Sequence, residues 1–172
     1  MQSEMAHDAI RQLSRQGSMK ATVAFSLLNH DINGAVISYG LFEQLKLSGG
    51  PADIAAMMYH GSCFVCCVRR VGRLLEAFSE NEIGFPQHVL VAIKLEQKKK
   101  RAFFKSFIDP RNAIEHIDGE VKSMTRFEAF NLFNDRFQIT NGTEVSIDKQ
   151  AVVKLLSVRD VIAEAILDSA GS

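Results

Sequence analysis

The sequence predicts a mostly helical bundle with one small antiparallel β-hairpin near the C-terminus, and three observations carry that expectation. Long segments between proline and glycine breaks repeat apolar residues every three or four positions, the spacing of one helix face. Strict alternation is confined to residues 136–147. The composition is ordinary for a globular chain: 172 residues, 47% of them hydrophobic, with 20 Lys plus Arg against 20 Asp plus Glu and three prolines. A chain of this length buries roughly 70% of its unfolded surface without help from disulfides or structural metal. A single domain over residues 1–172 is therefore expected.

The same arithmetic excludes several classes of function. A formal net charge of zero argues against a polybasic binder, because nonspecific affinity for nucleic acid needs several uncompensated bases to release counterions. Residues Met1 to Gln16 scatter Glu4, His7, Asp8, Arg11 and Arg15 among apolar positions and lack the continuous apolar centre of a secretory signal. The longest apolar runs, Ala21–Leu28 and Cys63–Val68, fall far short of the ~20 residues that a membrane span needs. No membrane association and a cytoplasmic setting are expected. Cys63, Cys66 and Cys67 are odd in number and crowded into five positions, which suits a reducing compartment better than a disulfide network.

In chain order, the first strong helical pattern starts at Met19 and steps through Val23, Leu27, Gly34, Ile37, Leu41 and Leu45 along one face. Gly34 weakens it, since an interior glycine costs roughly 1 kcal/mol. After Gly49-Gly50-Pro51, a second helix opens at Pro51 or Ala52. It carries Ile54, Met57, Met58, Val65, Val68, Val71, Leu75 and Phe78 on one stripe. Pro86 suits the first turn of a third helix, with Val89, Ile93, Phe103 or Phe104, and Phe107 on its buried side. Asp109 then caps a helix that has Pro110 at its first position.

Residues 120–133 read either way, with Val121, Met124, Phe127 and Phe130 favouring helix slightly over strand. Over Arg136–Ile147, a two-residue Asn141-Gly142 turn would place Phe137 opposite Ser146 and mix the faces. A three-residue loop Thr140-Asn141-Gly142 pairs Phe137 with Val145 and Ile139 with Thr143. Asp148 then caps a last helix over about 149–168, docked by Val152, Leu155, Leu156, Val158, Ile162, Ala165 and Ile166.

Among the chemistry-bearing clusters, Cys63-x-x-Cys66 has metal-ligand spacing but no second Cys or His pair to complete four ligands. Cysteines on an apolar helix pack as small hydrophobes, so neither metal nor other cofactor is expected. The polar run Asn29-His30-Asp31-Ile32-Asn33 reads as a bend or a buried hydrogen-bonded cluster. Lys94, Lys98, Arg101 and Lys105 line one helix face leading towards Arg111. Residues 94–111 hold seven bases and two acids, and residues 115–148 hold seven acids and three bases, so the neutral total hides a dipolar stretch. Such a basic face is either a solvated surface or a track for phosphates.

The segment Asp109-Pro110-Arg111-Asn112-Ala113-Ile114-Glu115-His116 is the most informative. With a helix starting at Pro110, Asn112 and His116 share a face and Arg111 lies one residue step round at the amino-terminal end. Free backbone donors there favour a phosphate, Arg111 can clamp its oxygens, and His116 is of the type that titrates near neutrality. These groups suit attack of a ribose 2′-hydroxyl on its own phosphate without a metal, His116 acting as base and Arg111 stabilising charge. The same residues also make a plain helix start, with Arg111 paired to Glu115 and Asn112 bonded to His116.

Arg111-Asn112-x-x-x-His116 in an otherwise helical chain resembles the HEPN superfamily. Its motif is an arginine, usually followed by Asn, Asp or His, and then a histidine after four to six residues. The wider pattern Arg-Asn-x-x-Glu-His-x-Asp, completed by Glu115 and Asp118, resembles a group of uncharacterised bacterial HEPN-like proteins. The run from Val68 to Glu76, within a helix over Tyr59–Phe78, is similar to one that they carry upstream. The resemblance implies an up-and-down helical bundle, homodimerisation, and metal-independent endoribonuclease activity in toxin–antitoxin, defence or RNA-processing systems. It assigns the catalytic role to Arg111, Asn112 and His116, with Lys94, Lys98, Arg101 and Lys105 as the candidate RNA-binding face. The hairpin at 136–147 is an addition to the minimal bundle, available as a dimer or partner surface. The alternative expectation is a noncatalytic helical interaction module, an adaptor or a neutralising partner protein.

Overall fold

The computed structural model describes residues 4–48, 50, 53–79, 83–108, 129–131, 136–138 and 144–168. Among the described residues the helices are α1 (Glu4–Arg15), α2 (Met19–Ser48), α3 (Asp53–Ser79), α4 (Gln87–Lys99), α5 (Arg101–Lys105) and α6 (Lys149–Asp168). The fold is mostly helical, as the spacing of apolar residues predicts.

Helix α1 is an element that sequence reading does not announce. Its buried residues, Ala6, Ala9 and Leu13, have helical spacing, but two are alanines that score weakly as core, and α1 packs mainly on α6. Gly17 ends it at φ +73°, where a side chain would be strained, and the Ser18 N–H reaches back to the Leu13 carbonyl at 3.2 Å.

Helices α2 and α3 form the long antiparallel pair at the centre. The pairing is fixed by Tyr39 against Phe64, with ring centroids 6.3 Å apart, by Gly34 against Cys67, and by an ion pair from Arg70 to Asp31 at 3.0 Å. Their connection is held by Asp53, whose carboxylate accepts from Ser48 Oγ at 2.6 Å and from the Gly50 N–H at 3.1 Å. In α2 the stripe that identifies the helix is not the buried face. Phe25, Leu28, Ile32, Ala35 and Phe42 are buried, whereas Met19, Val23, Leu27, Ile37 and Leu41 face outward. Apolar residues lie all round this helix, so their spacing establishes its period without choosing its inner side. In α3 the expected stripe is largely the buried one, from Met57 through Val65, Val68, Val71 and Leu75 to Phe78.

The third helix departs from expectation in two ways. Pro86, at φ −55° and ψ 150°, caps α4 and is not its first helical residue. The expected continuous helix is broken at Lys100 (φ −106°, ψ 12°), which separates α4 from α5. The break still leaves Val89, Ile93, Phe104 and Phe107 buried.

Short strands β1 (Ala129–Asn131), β2 (Arg136–Gln138) and β3 (Glu144–Ser146) pair antiparallel in that order, with Phe137 opposite Phe130 and opposite Val145. The slight preference for helix over 120–133 is thus corrected at 129–131. That stretch includes Phe130, and aromatic residues suit a pleated ladder. Residues 120–128 and the expected loop at 140–142 lie outside the described residues. Helix α6 follows, with Asp148 capping it through the Ala151 N–H at 2.7 Å. Val152, Leu155, Val158, Ile162 and Ile166 are its buried face, packed on α1, α2 and α4. No helix among the described residues is long and apolar enough to cross a membrane.

Candidate functional site

Arg111, Asn112 and His116, with the expected cap at Asp109 and the neighbouring Glu115, lie outside the described residues. The four bases expected on the helix face that precedes them in the chain are described. Lys94, Lys98, Arg101 and Lys105 recur at intervals of four, three and four residues, and all four are exposed on α4 and α5.

The break at Lys100 sorts the basic run into two groups. The Glu96 side chain is 3% exposed, and Lys99 Nζ donates to it at 3.2 Å. Lys100, itself largely buried, forms a second ion pair with Glu96 and reaches Ser157 Oγ of α6 at 3.4 Å. Lys99 thus pairs along its own helix, while Lys100 ties the end of α4 to α6 through Ser157. Among the described residues no ion pair joins Lys98, Arg101 or Lys105, which point away from that contact into a cleft between α3 and the α4–α5 break.

The cleft has a volume of about 310 Å³. Arg69, Gly72 and Glu76 line it from α3, and Gln97, Lys98, Arg101, Phe104 and Lys105 line it from α4 and α5. Four cations thus face one carboxylate. Gly72 sets the depth of the cleft, because a Cβ there would meet the Phe104 Cβ and Cδ1 at 3.1 Å and push α5 outward. A polyanion entering it meets charge on two walls, with the buried Phe104 ring beneath.

Three of the four bases expected on the RNA-facing side therefore come together, while Lys94 is exposed but does not line the cleft. Arg69 and Gln97 are additional. The available signal for Arg69 was the run Val68-Arg69-Arg70-Val71-Gly72-Arg73, in which three arginines interrupt an apolar stripe. The structure gives these arginines separate surroundings. Arg69 lines the cleft, Arg70 pairs with Asp31, and Arg73 borders a separate groove beside Leu27 and Leu74.

The polar run at 29–33 does not bend α2. Asn29 and Asp31 are buried within a continuous helix, and His30 is exposed. Burial raises the Asp31 carboxyl above its ordinary pKa, with Arg70 and then His30 acting in the opposite direction. Beside it, burial pushes the Cys67 thiol up to about 11, with a further contribution from Asp31. At neutral pH Cys67 is a protonated thiol in a helix contact, a poor nucleophile or metal ligand. Cys63 and Cys66 are half-buried thiols on the same helix.

No family model matches this chain, and no curated protein or solved structure matches it either.

Proposed function

We propose that this protein binds and cuts RNA without a metal, as an HEPN-like homodimer of the cytoplasm. In this reading Arg111, Asn112 and His116 are the catalytic groups, and the cleft bases hold the strand. One observation carries the proposal: Arg69, Lys98, Arg101 and Lys105 converge on a cleft built from the element that leads into the motif. Chain connectivity alone keeps the Arg111 Cα within ~22 Å of the Lys105 Cα, six residues at ~3.3–3.6 Å each. A strand lying in the cleft is therefore within a few nucleotides of the motif.

The chemistry is in-line transesterification. The 2′-hydroxyl oxygen attacks its adjacent phosphorus while His116 takes the hydroxyl proton. Arg111 stabilises the charge developing on the non-bridging oxygens, and Asn112 orients the phosphate. The bond from phosphorus to the 5′-oxygen breaks, that oxygen takes a proton from solvent, and a 2′,3′-cyclic phosphate remains. The hairpin at 136–147 serves in this reading as a surface for the second copy or for another protein.

The test is incubation of purified protein with mixed RNA in EDTA, beside His116→Ala and Arg111→Ala. Cleavage that persists in chelator, leaves cyclic phosphate ends, and falls by orders of magnitude in either variant at unchanged thermal stability is the expected result. The second reading, a noncatalytic interaction module, is favoured by the apolar outer face of α2. It is adopted if wild-type protein shows neither cleavage nor salt-dependent RNA binding.

A further inference from the structure

Within the cleft, Glu76 is out of keeping with the charge around it. A carboxylate on the wall repels the phosphates that Arg69, Lys98, Arg101 and Lys105 attract, and so lowers the affinity of the cleft for any polyanion. Nor does it hold the bundle together: Glu76 is exposed, and among the described residues no ion pair or side-chain hydrogen bond joins its carboxylate. Gln97, half-buried, is the uncharged polar side chain of the lining and is likewise unbonded among the described residues. Neither group is explained by phosphate binding.

Two contacts orient the walls. Gly72 of α3 faces Phe104 of α5, and further along α3 Phe78 meets Phe85, which precedes α4, with ring centroids 5.4 Å apart. Progress along α3 therefore runs against progress along α4 and α5. Glu76 lies between Gly72 and Phe78, so it stands towards the Gln97 end of the cleft. Arg69 lies on the other side of Gly72, towards Lys105. Seven residues, close to two turns, keep Arg69 and Glu76 on one face and about 10 Å apart along the helix axis. The cleft thus has a purely cationic end, at Arg69, Arg101 and Lys105. At its other end a carboxylate and a side-chain amide stand beside Lys98.

An ionised carboxylate only accepts hydrogen bonds, whereas a side-chain amide also donates them. On the Watson–Crick edge, guanine alone among the RNA bases presents two adjacent donors, N1–H and the N2 amino group, with O6 as an acceptor beside them. Adenine and cytosine offer an amino group next to a ring-nitrogen lone pair, and uracil an N–H between two carbonyls. Each of those sets an acceptor against a carboxylate oxygen, which is repulsive. In a duplex the edge is already paired, so only a single strand can present it. We propose that the cleft selects guanine in single-stranded RNA. Its N1–H and N2 amino group donate to the Glu76 carboxylate, and its O6 accepts from the Gln97 amide. Arg69, Arg101 and Lys105 hold phosphates at the other end. The inference rests on the RNA-binding part of the reading above and adds a base preference to it, without using Arg111, Asn112 or His116.

Fluorescence anisotropy with short labelled uridine oligonucleotides tests it. Their sugars are 2′-fluoro, which offers no hydroxyl for attack on phosphorus, and the central base is guanine, hypoxanthine, adenine, cytosine or uracil. Guanine is expected to bind roughly tenfold more tightly than adenine, cytosine or uracil, and hypoxanthine, which lacks the N2 amino group, to fall between. Glu76→Gln is expected to bring all five within about twofold at unchanged Tm. Its affinity for the all-uridine strand stays equal or rises, because a repulsive charge has gone. Gln97→Ala is expected to weaken guanine by a few fold and leave the all-uridine strand unchanged. Glu164→Gln removes the same charge from an exposed position on α6 and keeps the wild-type ranking. Equal affinity for every central base, or a ranking that survives Glu76→Gln, overturns the proposal. Salt-dependent binding of the same strands would then leave the RNA reading standing. No salt-dependent binding of any strand overturns both.

Discussion

At the scale of single residues, the contact between Cys67, Asp31 and Arg70 makes the stability of the α2–α3 pair depend on pH in a definite direction. The folded Cys67 thiol has its pKa raised from 9.0 to about 11, so between those values the native state holds a proton that the unfolded chain releases. Stability from this group is full below about pH 9 and is lost as pH rises through about 11. Subtracting chemical denaturation of Cys67→Ala from that of wild type at each pH isolates the effect, and a flat difference from pH 8 to 11 would contradict it. Asp31 acts in the same sense at lower pH. Its raised pKa makes stability decline as pH climbs from its ordinary value of 3.8 through the folded value. Gly72 gives a steric prediction. Gly72→Ala puts a methyl carbon 3.1 Å from Phe104 on a wall that α5 cannot vacate without moving Lys105. A loss of about 1–3 kcal/mol is expected, together with weaker RNA binding.

At the scale of elements, Lys100 at the α4–α5 break is tied into the bundle whereas Lys98, Arg101 and Lys105 meet solvent, and substitutions distinguish them. Lys98→Ala, Arg101→Ala and Lys105→Ala are expected to change stability by less than about 0.5 kcal/mol. Each is expected to reduce the slope of log K against log salt by ~0.7 if it contacts one phosphate of a single strand. Lys100→Ala reverses the pattern: Glu96 loses its buried partner, costing about 1–3 kcal/mol, while the salt slope stays put. Equal salt slopes for Lys98→Ala and Lys100→Ala would show that the run is not sorted in this way. The sequence made some of this legible and not the rest. Helices α3 and α6 could be read because their apolar residues concentrate on one side, and Asp148 marked the start of α6. Helix α1 could not, since alanines at 6 and 9 carry little hydrophobic signal. The break at Lys100 has no proline or glycine to announce it, and the tertiary contact at that residue, to Ser157 of α6, cannot be read from local sequence. Lys98, Arg101 and Lys105 could be placed on one face from spacing alone. Arg69 and Gly72 stand about thirty residues earlier, and their presence in the same cleft depends on how α3 crosses α5.

At the scale of the whole molecule, the apolar outer face of α2 and the basic cleft border different sides of α3. Leu27, Arg70, Arg73 and Leu74 border one groove, while Arg69, Gly72 and Glu76 border the cleft. A homodimer of the kind proposed would carry two such clefts. Two linked sites bind a strand that spans both far more tightly than one site binds it alone, because the second contact forms at the high effective concentration set by the first. A short oligonucleotide that fills one cleft gains nothing from the second copy. Ile37→Glu, on the exposed apolar face of α2 and outside the cleft lining, is accordingly expected, where that face joins the two copies, to lower affinity for long single-stranded RNA by tenfold or more. It should leave affinity for a short oligonucleotide within about twofold of wild type. Fluorescence anisotropy on a length series, at one fixed salt concentration, reads both limbs. Equal losses at every length would mean that the substitution damages the cleft itself. No loss at any length would mean that the two clefts do not share a strand, and each copy would then have to act on RNA alone.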